Sequence, residues 1–306
     1  MYTRFLVLGG AGLVGTQVVR HICHTLEPAT VVVASLKREE AVASCEKFER
    51  EFPGEIQFVP AWGNLFVSHA LANSPRGEMM ADPKTRAALL GAVYGDFDTA
   101  YEGNQLVVML REHKPQVIVD CVNTATGFSY LDIFDGAAKV QEWIGEDGFD
   151  PKGTSDLEGF LLSQSVPQLI RHVRFVHRST IEVGVKVYVK VGTTGTGGMG
   201  MNIPYTHSED RPSKKLLAKN EAAFGHTGLL FLLARTPGAP IVKEVKPAAM
   251  IGYRAVTVKQ VRDKHGNRDL VQAQTLSLSA GDALDLRDNA SSYPVTGTLD
   301  VAVVDT

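Results

Sequence analysis

Scarcity narrows this sequence before any motif does. Cysteine occurs three times, at Cys23, Cys45 and Cys121. An odd number without a spacing pattern excludes a disulfide framework and reads as reduced, mostly buried thiols of a cytoplasmic protein. No apolar run approaches the roughly 18 to 20 residues of a membrane span, and an apolar strand begins at residue 5, which leaves no room for a signal peptide. Charge of neither sign dominates: 31 Lys and Arg against 34 Asp and Glu give a net −3, so neither nucleic acid nor an anionic membrane is expected as a partner. There is no internal repeat and no low-complexity tract. His21 and His24 stand three apart with no further ligand nearby, so no metal site is expected.

What is present is alternation. Short β-branched runs at Phe5–Leu8, Thr30–Ala34, Ile56–Pro60, Gln116–Cys121, Lys186–Val191 and Ile241–Lys246 are separated by helical patterns. The first of these, Leu13–Leu26, places Val14, Val18, Val19 and Ile22 on one face. Another, "VPQLIRHVRFVHRSTIEVG", begins near a proline and stops at a glycine. This rhythm predicts an α/β fold: a doubly wound parallel sheet built of right-handed crossovers and covered on both faces. It spans residues 1–252, with an aromatic and acidic insertion at about 125–165 whose length predicts a functional or disordered loop. Residues 253–306 read as a β-rich C-terminal lobe. In it "YRAVTVKQVRD" and "DLVQAQTLSLS" flank the turn signal "KHGN", and "TLDVAVVDT" ends the chain as a strand. That strand either closes the lobe or precedes further chain.

The first strand stops at "GGAGLVG". It can be read as Gly10-x-Gly12-x-x-Gly15 or as Gly9-x-x-Gly12-x-x-Gly15. In both, one glycine makes a tight turn, one lets the backbone approach a pyrophosphate, and one lets helix and strand pack closely. Gly9, Gly12, Leu13, Val14 and Gly15 are the candidate phosphate-binding residues. At the end of the second strand, where a carboxylate would hold the adenosine ribose of NAD, the sequence has Ser35 followed by Lys37 and Arg38, while Glu39 and Glu40 fall further along. A hydroxyl and two cations suit a 2′-phosphate, so NADP is expected in preference to NAD. Arg171, Arg174 and Arg178, with His172 and His177, read as a solvated or dimer-forming basic face. Trp62 and Trp143 read as packing residues.

With "GGAGLVG", "WGNL" after the third strand and "VIVDCVNTAT" at the fourth, the chain resembles the extended short-chain dehydrogenases/reductases, relatives of the nucleotide-sugar epimerases and reductases, over about residues 3–252. The resemblance implies a Rossmann fold, a homodimer and a small-molecule substrate. It places Asn64 and Leu65 beside the adenine, and Asn123, Thr124 and Ala125 on the ribose and nicotinamide side. It also implies a hydroxyl after the fifth strand, for which Thr193 and Thr194 are present, and a Tyr-x-x-x-Lys pair on the next helix. The helix reads "KKLLAKNEAAF", so Lys219 is preceded by Lys215 where the tyrosine belongs. Tyr205, in the loop before that helix, is the expected substitute acid, with Thr194 orienting the substrate oxygen and Lys219 on the nicotinamide ribose; His207 is a second candidate acid. The implied activity is an NADP-dependent oxidoreductase acting on a carbonyl or alcohol. The alternatives are a binder that has lost the chemistry, or an epimerase or dehydratase that recycles its cofactor.

Overall fold

In a computed structural model, the described residues are 2–54, 56–123, 133–144, 151–192, 214–245, 255–260 and 300–305. They divide into two units, Met1–Ala248 and Ala249–Thr306. The first is a six-stranded parallel sheet: β1 (Arg4–Leu8), β2 (Thr30–Ser35), β3 (Gln57–Trp62), β4 (Val117–Asp120), β5 (Val187–Val191) and β6 (Ile241–Val245), in the order β3-β2-β1-β4-β5-β6. The doubly wound fold is therefore as the alternation predicts, with strand ends within two residues of those read from the sequence.

The inner strands are apolar without alternation because helices cover both faces. On one face Phe5, Val7, Val31, Val33 and Val119 pack with Val19 and Ile22 of α1 (Leu13–Leu26) and Phe48 of α2 (Arg38–Glu51). On the other, Leu6, Leu8, Val32 and Ile118 pack with α6 (Gln105–His113), α9 (Ser165–Val183) and α10 (Lys214–Leu233). Local sequence fixes the helix ends. Asn104 accepts from the Leu106 amide at the start of α6, and Gly184, with φ 77°, closes α9 in the left-handed conformation.

The connection from β3 to β4 is longer than one crossover helix. It carries a 3-10 turn (His69–Leu71) and three added helices, α3 (Arg76–Ala81), α4 (Pro83–Tyr94) and α5 (Phe97–Glu102). Asp82 and Asp96 cap α4 and α5 by accepting from the Thr85 and Thr99 amides. The insertion after β4 differs from the loop expected of it. Within it lie two helices, α7 (Ile133–Ile144) and α8 (Pro151–Ser163), packed on each other so closely that a Cβ on Gly136 would stand 3.5 Å from the Phe160 Cα. The apolar period of Ile133–Ile144 marks α7 in the sequence, while that of Pro151–Ser163 is weaker and α8 depends more on packing. The buried Arg86 ties α4 to α8: its Nε lies 2.7 Å from Glu158, and its Nη1 donates to the Met80 and Ala81 carbonyls.

In the second unit β7 (Ala255–Gln260) pairs antiparallel with β8 (Asp300–Asp305). The described partner of β7 is thus the chain's last strand; "KHGN" and "DLVQAQTLSLS" lie outside the described residues. No helix among the described residues is long and apolar enough to cross a membrane.

Candidate dinucleotide site

Strand order reverses between β1 and β4, and crevices at the carboxyl ends of such neighbours are where doubly wound sheets hold ligands. The glycine loop fills this point, and its glycines separate by physical demand. Gly9 has φ 73°, and its amide plane runs so near β4 that a Cβ would meet the Cys121 carbonyl carbon at 3.3 Å. At Gly10 a Cβ would lie 2.9 Å from the Val33 Cγ1, and at Gly15 it would lie 2.0 Å from the Gly9 oxygen. The fold itself requires glycine at these places.

Gly12 is different. It is the N-cap of α1, with φ −78° and ψ 172°, a conformation open to any residue, and its Cβ would meet only the Gly9 oxygen at 3.3 Å, which a small shift relieves. Neither strain nor packing explains a glycine there. The Gly12 amide donates to Gly9 and no side chain caps the helix, so the first-turn amides and the positive end of the helix dipole face outward. Leu13 is 92% exposed and Val14 is exposed beside it, apolar surface that a bound molecule would cover.

At the end of β2, Ser35 is not alone. Its Oγ donates to the Glu40 carboxylate at 2.7 Å, so a residue in the first turn of α2 returns to the strand end. Lys37 and Arg38 are exposed, and the Arg38 guanidinium lies over the Trp62 ring, 5.4 Å from its centroid. Trp62 is thus half-buried under a cation. The next turn is pinned by Gln105, which donates to the Trp62 carbonyl at 2.8 Å and pairs with His69 Nδ1 at 2.6 Å. Asn64 accepts from the Phe66 amide and donates its own amide to Ala72. Leu65 departs from expectation: at 7% exposure it is a core residue, so its side chain is not available to an adenine. Asn123 is exposed at the end of β4. Thr124, Ala125, Thr193, Thr194, Tyr205 and His207 lie outside the described residues, as does the side chain of Lys219 on α10.

Beneath the β4 edge lies a polar cluster that sequence analysis passed over. Asp120, 2% exposed, accepts from Tyr188 Oη at 2.7 Å and from Lys190 Nζ at 2.9 Å; Lys190 also donates to the Val122 carbonyl at 2.6 Å. Burial alone would raise the Asp120 carboxyl, but Lys190, His226 and the two donated hydrogen bonds outweigh it and hold the group below the usual carboxylate range. Burial and the adjoining carboxylate push the Tyr188 phenol well up. His172 and His226, rings 5.3 Å apart, pack nearby; burial brings His172 down to about 4 and His226 well below its usual value. His172 therefore does not belong to a solvated basic face. Of that face, Arg174 lies over Phe97, and Arg178 pairs with Asp98. The available signal was periodicity: Tyr188 and Lys190 break the apolar run of β5 at alternate positions, and Lys190 stands directly opposite Asp120 in register. The cluster is closed to solvent and clamps the Val122 carbonyl, which fixes the backbone that faces the crevice. Among the described residues there is no group of three side chains suited to hold a metal ion.

No family model matches the sequence, and no curated protein matches it. Solved structures do. A Pen protein from Bacillus thuringiensis aligns over 80% of this chain and 50% of its own, at 12% identity and TM-score 0.41. The UDP-glucose 4-epimerase of Thermotoga maritima, with UDP-glucose, aligns over 79% and 53% at 14% identity and TM-score 0.36. DesIV, a dTDP-glucose 4,6-dehydratase of Streptomyces venezuelae with NAD bound, aligns over 80% and 55% at 17% identity and TM-score 0.39. The chain spans about half the length of these structures.

Proposed function

We propose that the chain binds a nicotinamide dinucleotide across the β1–β4 crevice and uses it as an oxidoreductase of the extended short-chain type on a small molecule. The observation that carries this is Gly12, a glycine the unliganded fold does not need, at an uncapped helix N-terminus beneath exposed Leu13 and Val14. The bound cofactor supplies hydride chemistry; the chain's own part is to hold the pyrophosphate on the α1 amides and the ribose at the β2 end.

Of the two dinucleotides, the unphosphorylated form suits the β2 end better. The Glu40 carboxylate stands against Ser35, beside the place where ribose hydroxyls are held, and would repel a 2′-phosphate. The second reading, NADP, is favoured by exposed Lys37 and Arg38, with Arg38 partly engaged on Trp62. Calorimetry with NAD and NADP on the unmodified protein and on Glu40→Gln distinguishes them. NAD is expected to bind more tightly to the unmodified protein, and the variant to shift at least tenfold toward NADP. A preference for NADP in the unmodified protein overturns the assignment in favour of the cationic pair, and no binding of either dinucleotide overturns the site.

The catalytic assignment stays with Tyr205 as proton donor, Thr194 on the substrate oxygen and Lys219 on the nicotinamide ribose. Losing a general acid costs about 10²–10⁴-fold in rate. Tyr205→Phe is therefore expected to abolish turnover on that scale while calorimetry shows the dinucleotide affinity unchanged. Retained turnover leaves the redox role to another acid, and a protein that binds the dinucleotide but turns over no carbonyl or alcohol is a binder.

A further inference from the structure

The added helices between β3 and β4 and those after β4 do more than lengthen the crossovers. Where α3, α4 and α8 meet α9 and the Asn64–Val67 turn, they line a partly open cavity of about 70 Å³. Its wall is mostly apolar, with Phe66, Met79, Leu89, Val93, Leu162 and Phe175, and Asn64, Asn104 and Gln168 add neutral polar groups. Its charged lining is of one sign only: Arg76 and Arg171 reach it, His172 closes its inner side, and no Asp or Glu lines it.

Arg171 makes that sign count. It donates from Nε to the Val93 carbonyl at 2.9 Å and from Nη2 to the Gly95 carbonyl at 2.7 Å, so the guanidinium is fixed in place by neutral groups. No carboxylate among the described residues lies within ion-pair distance of it. Asp96 acts on it only from further off, and Arg174 repels it. By contrast Arg86 of α4, outside the cavity, is matched by Glu158. A held cation beside a methionine- and phenylalanine-lined hollow suits an anion with an apolar tail. Size restricts the tail. The volume is about half of the roughly 150 Å³ that admits a benzene ring, which leaves room for a body of a few carbon atoms.

We propose that this cavity is a binding site for a small aliphatic carboxylate, with the carboxylate on Arg171 and the carbon chain against Met79, Leu89 and Phe175. The site shares no more than the Asn64 turn with the dinucleotide crevice, and it stands whether or not a dinucleotide binds.

The test uses butyrate on the full chain, with 1-butanol as the neutral counterpart of similar length. Titration followed by amide chemical shifts is expected to show saturable binding of butyrate in the millimolar range. Shifts should concentrate at Met79, Ala92, Arg171 and Phe175, and 1-butanol should bind at least tenfold more weakly. Arg171→Gln should remove that preference, and Ala92→Phe, which fills the hollow, should abolish binding of both. Equal binding of butyrate and 1-butanol overturns the anionic assignment. No saturable shift, or shifts centred elsewhere, overturns the site. These two results are read on the unmodified protein, so they hold even where a variant fails to fold.

Discussion

A valine at Gly12 and an alanine at Gly15 place side chains three residues apart at the start of α1, yet the structure assigns them opposite consequences. At Gly15 the new Cβ would sit 2.0 Å from the Gly9 oxygen and 2.7 Å from the Gly10 Cα, backbone on both counts, so α1 must move off the sheet. Overpacking of that kind costs about 1–3 kcal/mol or more, and here no flexible side chain can yield. At Gly12 the backbone is already extended and the nearest atom is 3.3 Å away, so the fold loses about 1 kcal/mol, the difference between glycine and a β-branched residue at an N-cap. Binding is where Gly12→Val should fail. A side chain standing over the α1 amides displaces the pyrophosphate from two charge-assisted contacts of about 1.5–3 kcal/mol each, a loss of roughly 10²–10⁴-fold in affinity. Urea denaturation measures the first quantity and calorimetry with NAD the second. Gly12→Val should lose no more than about 1 kcal/mol of stability and bind at least a hundredfold more weakly; Gly15→Ala should lose more stability than Gly12→Val before binding is considered. A folded Gly12→Val protein with undiminished affinity refutes the claim that this glycine reserves space for a ligand.

Two further predictions concern the buried cluster. In Lys190→Met the Asp120 carboxylate loses its partner, so at neutral pH unfolding should become easier by about 3–5 kcal/mol. In the unmodified protein the depressed Asp120 adds stability that is present above the unfolded carboxyl value near 4 and is lost as pH falls through the lower folded one. In the variant the same carboxyl is raised, so the penalty should shrink in acid; a penalty equal at pH 4 and pH 7 contradicts the pairing. His172 and His226 are buried neutral, so below the unfolded value near 6.5 the unfolded chain takes up protons the folded one refuses. Stability should fall from pH 6.5 toward 4 by about 1.4 kcal/mol per pH unit for each histidine, and His226→Phe should remove about that amount from the slope between pH 6 and 5, read from denaturation midpoints.

The sheet was legible because its signal is redundant. Thr30–Ser35 is a strand by propensity, by burial on both faces and by its place between two helical patterns, and each cue alone would have found it. The glycine loop was legible for the same reason: it sits between a strand and a helix that identify each other. The 133–163 segment reads as one long insertion, although Ile133–Ile144 carries an apolar helical period of its own; its two helices pack on each other, and α8 packs on α4. The Glu40–Ser35 bond was hidden by direction. A residue placed on a helix by counting still reaches back to the strand end if its side chain points toward the N-terminus, as helical side chains do. Leu65 and His172 erred the other way: motif position and helix membership put them at a ligand and at a surface, and burial put both inside.

The strand order also has a consequence in time. β1 forms its β2 edge with residues that follow within one helix, but its other edge pairs Leu8 with Asp120, more than a hundred residues later. At synthesis rates of about 5–20 residues per second, that edge waits on the order of 5–20 s for its partner. The waiting segment is Phe5, Leu6, Val7 and Leu8, all of them fully apolar and destined for the centre of the sheet. A nascent chain released or stalled before residue 120 therefore carries an open, hydrophobic strand edge, the template on which aggregation begins. Truncation before β4 should yield insoluble protein, and the same stretch marks where a chaperone has most to shield.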